Sequence, residues 1–482
     1  MSEEILINVT PQETRVALVE NGVLQELHIE RARSRGSVGN IYKGRVARIL
    51  PGMQAAFVDI GQERTAFLHV SDLLNDNGTA ATPIHVRLRE GEEVVVQVMK
   101  DPLGTKGARL TMQLTLPARY LVYMPYTKHI GISQKIGDDT ERERLRNLVR
   151  AAREAGDEGG YILRTLAETV TEEEIQKDIR YLRRRWTACE ESIRAAQPGE
   201  AIHEELPLAL RAMRDLVRDE MEKIRIDSQE FFGKAREFAQ EFIPEVYERI
   251  EHYPGERPIF DLYSVEDEIQ RALARKVMLK SGGHLVIDQT EALTTIDVNT
   301  GTFVGKHNLE ETLFKTNLEA AQAIARQLRL RNLGGIILVD FIDMEDAEHK
   351  RQVLRALEKA LARDRTKVTV SDMSPLGLVE LTRKRTRESL EHVLCQPCPV
   401  CQGRGVLKTP QTVCYEIFRE ILREARQYGA TEYTVVASQV VVDMLVDEEA
   451  TSLLNLQEFI RRPIQLKVEP LYHQEQYDVV LM

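Results

Sequence analysis

Between residues 283 and 363 the chain alternates strand and helix, and two of its strands each deliver an aspartate. The first strand reads Thr294-Thr295-Ile296-Asp297-Val298-Asn299. The second reads Ile336-Ile337-Leu338-Val339-Asp340 and runs on into Phe341-Ile342-Asp343. A helical pattern over about 309–331 separates them, and a second follows over about 344–363. A strand–helix–strand unit in one sheet usually joins its strands in parallel, so both carboxyl ends reach one edge. Open α/β sheets take ligands at that edge. Asp297 and Asn299 are two residues apart, so their side chains share a strand face. Carboxylates at strand ends suit a hard divalent cation such as Mg²⁺, and that ion can activate water for phosphodiester hydrolysis. The pattern therefore predicts an α/β core in which Asp297 and Asp340 share Mg²⁺, with Asn299 as an outer ligand or orienting group. The competing reading makes each aspartate a turn residue bonded to local backbone. Asp343 reads as the N-cap of the second helix. Gly334-Gly335 reads as the C-cap of the first.

Five cysteines are present, three of them in the run Cys395-Gln-Pro-Cys398-Pro-Val-Cys401-Gln-Gly403-Arg-Gly405. An odd number with a cluster suits a reducing compartment and a metal better than a disulfide framework. Two zinc arrangements fit. His392, Cys395, Cys398 and Cys401 form a site within one chain, or Cys398 and Cys401 supply two ligands and a second chain completes the four. Cys189 and Cys414 read as buried thiols. No apolar run of about 18 residues suggests a membrane span. The N-terminus lacks a basic segment followed by an apolar one, so no secretory signal is visible. The cytoplasm is the expected location.

The net charge of −11 argues mildly against nucleic acid, but phosphate contacts need only a local patch. Residues 31–48 hold six basic side chains and no acidic one; 180–185 and 383–387 are further basic runs. The plain alternative for each run is a solvated helix face. Residues 1–35 read as a small sheet with an Asn21-Gly22 hairpin turn. Residues 36–117 read as about five short strands punctuated by glycine, the pattern of an oligonucleotide-binding barrel. There Phe57 and Phe67 are candidate stacking platforms for bases, with Lys106 nearby for phosphate; the alternative puts both rings in the core. Residues 118–215 are mixed, and 205–278 read as largely helical. A tail of about 80 residues follows the cysteines.

Several long motifs, spread in order along nearly the whole chain, resemble the ribonuclease E/G family. They include Asn40-Ile-Tyr-Lys-Gly-Arg-Val, Pro51-Gly-Met-Gln-Ala-Ala-Phe-Val-Asp-Ile-Gly, Gly104-Thr-Lys-Gly-Ala-Arg-Leu-Thr, Thr294-Thr-Ile-Asp-Val-Asn, Ala325-Arg-Gln-Leu-Arg-Leu-Arg-Asn-Leu-Gly-Gly, Asp340-Phe-Ile-Asp and Cys398-Pro-Val-Cys-Gln-Gly-Arg-Gly. The chain stops soon after a small C-terminal segment, which favours the branch of the family without a long disordered tail. The resemblance implies a Mg²⁺-dependent endoribonuclease that cuts single-stranded, A/U-rich RNA, prefers a 5′-monophosphate end and leaves a 5′-phosphate. It implies maturation of the 5′ end of small-subunit ribosomal RNA and turnover of messenger RNA. By motif, Asp297 and Asp340 bind Mg²⁺ with Asn299 assisting, and Phe57, Phe67 and Lys106 grip RNA. Arg164 and Thr165, with backbone near Gly131, Ile132 and Ser133, form a 5′-phosphate sensor, a task suited to the guanidinium fork. The ribonuclease E pattern has an arginine where this chain has Lys367. Cys398 and Cys401 share Zn²⁺ across a homodimer or a higher homo-oligomer, although Cys395 adds a thiol beyond the usual pair.

The implied architecture is α/β multidomain. A ribonuclease H-like subdomain is split between 1–35 and 215–278, with the RNA-binding barrel (36–117) and the sensor region (118–214) inserted. A DNase I-like catalytic domain (279–394), a zinc link (395–406) and a small C-terminal domain (407–482) follow. The rival from another class is a non-catalytic RNA-binding scaffold built on the barrel and a zinc-clasped dimer. A small-molecule phosphohydrolase is a further rival, one that has no use for the barrel aromatics.

Overall fold

A computed structural model describes residues 2–74, 83–102, 107–153, 156–168, 170–218, 221–301 and 309–482. The chain divides into two units, Met1–Leu390 and Glu391–Met482, and each has its own apolar core.

Asn21 and Gly22 have φ of 50° and 75°. Positive φ at both turn residues is what a tight two-residue hairpin requires, and the turn joins Glu13–Glu20 to Val23–Arg31. Their sheet has five strands in the order Ile250–His252, Met221–Ile226, Glu3–Val9, Glu13–Glu20, Val23–Arg31. The two ends of a long insertion therefore meet in one layer, with Glu3–Val9 parallel to Met221–Ile226. Residues 205–278 are largely helical as expected, with Leu208–Leu216, Gln229–Phe242 and Val265–Leu273, but the strand Met221–Ile226 among them was not expected. A register shift opposite Glu3 and Glu4 inserts one residue into Met221–Ile226, so its buried positions fall at Met221, Ile224 and Ile226. A bulge has turned the period of two into a spacing of three, which looks helical in sequence.

The barrel forms as expected from five strands. Ile41–Leu50, Ala55–Asp59, Ala66–His69, Arg109–Thr111 and Glu93–Lys100 pair in that order, and the last closes onto the first. Val46, Val58, Leu68, Val96 and Leu110 fill its interior. Next comes a small sheet in which Ile130–Ile132 lies parallel to Gly160–Leu163. The helix Glu172–Ala195 packs on it and starts at a capping box formed by Thr171 and Glu174. Its Trp186, 6% exposed, lies in one cluster with Tyr123, Tyr161 and Leu163.

The layer bearing the aspartates has six strands, ordered Lys276–Met278, His284–Gln289, Leu293–Asn299, Gly335–Asp340, Leu378–Arg383, Val368–Val370. Leu293–Asn299 and Gly335–Asp340 run parallel, as the crossover rule requires, and the other pairings are antiparallel. The helices Leu309–Leu330 and Ala347–Leu361 cover one face, burying Ile296, Val298, Ile337, Val339 and Val379. Two expected helix ends move. Leu309–Leu330 terminates through Asn332, whose φ is 48°, while Leu333 N–H bonds back to Leu328 O at 3.0 Å. Asparagine takes the left-handed position that glycine usually fills, and Gly335 opens the strand instead. The second helix is capped by Asp346, whose carboxylate accepts from Glu348 N–H, so Asp343 is not its N-cap.

In the second unit, Ile464–Val468, Tyr433–Ala437 and Tyr477–Leu481 make a three-stranded sheet. The helices Pro410–Gln427, Gln439–Val446 and Ala450–Ile460 contribute to its core.

Candidate active site

Asp297 and Asp340 are register partners on the central parallel strands. Adjacent strands lie about 4.8 Å apart, so the two carboxylates rise side by side at the carboxyl edge, and both are exposed. Asn299 Nδ2 donates to Asp297 Oδ2 at 2.9 Å and fixes that carboxylate's orientation. Partial burial holds the Asp340 carboxyl above its ordinary pKa, and the negative charges of Asp297 and Asp343 add to the effect. Mutual repulsion of this kind is relieved by a cation between the groups. Among the described residues no three His, Cys, Asp or Glu side chains converge on a metal-sized site. Two carboxylates and an amide nonetheless fit Mg²⁺, which keeps several waters and needs only one or two protein carboxylates. Gly283 supports the edge from behind, because a Cβ there would stand 2.6 Å from the Asn299 carbonyl oxygen.

The residues expected to sense a 5′-phosphate come together. Arg164 Nη1 donates to Ala118 O and to Asp215 Oδ1, each at 2.7 Å. Thr165 is exposed, and its Oγ1 lies 2.9 Å from Ser133 Oγ. Gly131 and Ile132 pair with Ile162 and Leu163, directly before Arg164. Lys367 approaches from the aspartate layer, its Nζ donating to Gln134 Oε1 at 3.1 Å. Neighbouring Lys135 donates to the carbonyls of Asp364 and Thr366. The loop 364–367 thus joins the segment around Gln134 and Lys135 to the layer that carries Asp340. Sequence reading named Ser133 only for its backbone and did not single out Gln134, Lys135 or Asp215, because isolated polar residues in a loop or on a helix carry no periodic signal.

On the barrel, Phe57 and Phe67 are paired across adjacent strands and only half-buried. Their rings meet edge-on at 6.3 Å. Both stand apart from the barrel's interior cluster, which favours an outward platform over core packing. His69 stacks beside Phe67, its ring inclined by 25°, and extends the platform. Lys106 lies outside the described residues.

Cys395 and Cys398 are exposed and Cys401 is half-buried. Backbone N–H groups of Gly405 and Gly403 hold the Cys401 thiol below its usual pKa, the environment of a thiolate ligand. Gln402, Gly403 and Gly405 all take positive φ, which makes the turn tight. Among the described residues no three of His392, Cys395, Cys398 and Cys401 gather as one metal site.

Part of the basic sequence is ion-paired within the fold. Arg383 is buried against Asp364 at 2.7 Å, Arg183 bonds Tyr123 and Asp157, and Arg45 and Lys43 pair with Glu93.

Residues 37–112 match the S1 RNA binding domain, coinciding with the closed barrel, and residues 115–386 match the Ribonuclease E/G family. The chain belongs to the ribonuclease E/G family. Ribonuclease G of Escherichia coli (strain K12) is 54% identical over 491 residues, covering 100% of both chains. Ribonuclease G of Haemophilus influenzae is 52% identical over 489 residues, covering 99% of each. Ribonuclease E of Escherichia coli (strain K12) is 38% identical over 461 residues, covering 94% of this chain but 43% of that protein. The ribonuclease E/G match takes in both the aspartate pair and the Arg164–Thr165 cluster.

Proposed function

We propose that this protein is an endoribonuclease of RNA processing. It cuts single-stranded, A/U-rich RNA, prefers a 5′-monophosphate end and leaves a 5′-phosphate on the product. Maturation of the 5′ end of small-subunit ribosomal RNA and turnover of messenger RNA are its tasks. The 54% identity to ribonuclease G over the full chain supports the class. The observation that carries the chemistry is the register pairing of Asp297 with Asp340, oriented by Asn299, at the edge of an α/β layer.

Asp297 and Asp340 hold Mg²⁺, which when bound supplies Lewis-acid activation of water beside the scissile phosphate. Asn299 keeps the Asp297 oxygens turned toward that position. Phe57 and Phe67 stack unpaired bases, so the barrel selects single strands over duplex. The Asp215 carboxylate and the Ala118 carbonyl restrain Arg164, so less side-chain freedom is lost when it grips a terminal phosphate. Thr165, Lys367 and the backbone at Gly131 and Ile132 complete that grip. Cys398 and Cys401 take two positions of a tetrahedral Zn²⁺ and a second copy of the chain takes the others, giving a homodimer. A reducing cytoplasm suits the five free thiols, and among the described residues no helix is long and apolar enough to cross a membrane.

Asp297→Asn tests the centre. The variant is expected to bind RNA as wild type does and to cut it at least about 100-fold more slowly, the scale of losing electrostatic stabilisation at a reacting phosphate. Near wild-type cutting by the variant refutes the assignment. Binding without cutting by the wild-type protein itself would instead point to a scaffold.

A further inference from the structure

The helix Leu309–Leu330 lies under the aspartate edge and touches it on two sides. Asn317 on this helix is 0% exposed. Its Nδ2 donates to Ile342 O at 2.8 Å, and its Oδ1 accepts from Ile342 N–H at 3.1 Å. A side-chain amide thereby pairs with both backbone groups of one residue, as a neighbouring strand would. Ile342 is two residues beyond Asp340. The residues around it, Phe341 and Met344, are buried in the core beneath the sheet. The backbone leaving Asp340 is therefore clamped, and the Asp340 carboxylate has a fixed origin. Two residues on, and so on another flank of the helix, Glu319 accepts from the backbone N–H groups of Lys280 and Ser281. That turn ends at Gly283, which abuts the Asn299 carbonyl. One helix holds the turns on both sides of the Asp297–Asp340 pair.

We propose that Asn317, with Glu319, is a positioning residue for RNA cleavage: the two side chains set the spacing of the Asp297, Asn299 and Asp340 side chains without touching substrate. This rests on the reading of Asp297 and Asp340 as the catalytic centre. A fully buried carboxamide is a costly choice for a helix position that an apolar residue would otherwise fill, and both of its bonds go to the backbone of the aspartate loop.

The variant Asn317→Asp makes the role visible. As a carboxylate it still accepts from Ile342 N–H, but it turns a lone pair toward Ile342 O. Once protonated, its O–H donates to that carbonyl and the pair is restored. At pH 8 kcat is expected to fall about 100-fold, the cost of misplacing a reacting group by about 1 Å, with KM for a single-stranded RNA unmoved. The ratio of variant to wild-type kcat is expected to climb as the pH is lowered toward 6. Glu319→Gln keeps one acceptor but turns an N–H toward the second amide, and it is expected to lower kcat with KM unmoved. It serves as the independent reading if Asn317→Asp does not fold. Wild-type kcat in either folded variant, or a loss carried by KM, overturns the proposal, as does a kcat ratio for Asn317→Asp that ignores pH. Asp297→Asn is run alongside: if it cuts normally the catalytic reading itself has failed, and if it is inactive while Asn317→Asp and Glu319→Gln are normal only the positioning role has failed.

Discussion

Replacing Asp215 by Asn changes one atom and removes the charge that restrains Arg164. Asp215 accepts from Arg164 Nη1 at 2.7 Å and, through both oxygens, from Arg214 Nε and Nη2 at 3.0 Å each. Burial raises its carboxyl pKa, but Arg214 and Arg164 outweigh burial and bring it from 3.8 down to about 2. At about 1.4 kcal/mol per pH unit, that displacement contributes about 2 kcal/mol to folding at neutral pH. The sign follows from the depressed native value: the contribution is complete above about pH 4 and is lost as the pH falls through about 2. Arg214 keeps Glu205 and Arg164 keeps Ala118 O, so the variant should fold. The chain has one tryptophan, Trp186, and it sits in the same core cluster as Leu163 and Ala118. Its fluorescence during urea unfolding therefore reports this region. Asp215→Asn is expected to be less stable by about 2 kcal/mol at pH 7, and the gap should close as the pH is lowered from 4 toward 2. The same variant should lose most of the wild-type preference for 5′-monophosphate over 5′-hydroxyl RNA. A gap below about 0.5 kcal/mol at pH 7, within the usual surface-substitution range, or one unchanged down to pH 3, refutes the reasoning.

Arg383→Met leaves Asp364 buried at 3% exposure with its principal cation gone, and should cost about 3–5 kcal/mol in denaturant unfolding; a loss under about 1 kcal/mol contradicts that. Cys398→Ser is expected to convert dimers to monomers in analytical ultracentrifugation, and metal analysis of the wild type to find about one zinc per two chains. One zinc per chain supports the single-chain site instead. Phe67→Ala removes half of the barrel's edge-on aromatic pair and should raise KM for single-stranded RNA by about 1–3 kcal/mol in free-energy terms, with kcat little changed. An unaltered KM places the ring in a packing role.

The parallel strand pair was legible because a crossover helix between two strands leaves one common topology, and that alone brings Asp297 to Asp340. The barrel was legible because its strands are short, alternating and bounded by glycine. Met221–Ile226 was hidden by a bulge that shifts its apolar spacing. The second helix cap was misplaced because Asp343 and Asp346 are both acceptable N-caps by residue type, and only backbone direction separates them. The proposed sensor residues were named from motif resemblance alone: Arg164 and Lys367 lie 203 positions apart, and no local pattern links them. Asn317 gave no signal, since a polar residue in a helix reads as solvated until the fold shows it buried. Within the basic runs, Arg383 pairs with Asp364 and Arg183 with Asp157, partners that charge in the sequence does not reveal.

The most direct measurement is cleavage of one short A/U-rich RNA in Mg²⁺, carrying either a 5′-monophosphate or a 5′-hydroxyl, by the wild type and by Asp340→Asn. The expected result is internal cutting by the wild type, faster on the monophosphate, with none by the variant although it still binds. Equal cutting by both proteins contradicts the assignment of Asp297 and Asp340 as the centre, and equal rates on both RNAs contradict the role given to Arg164 and Thr165.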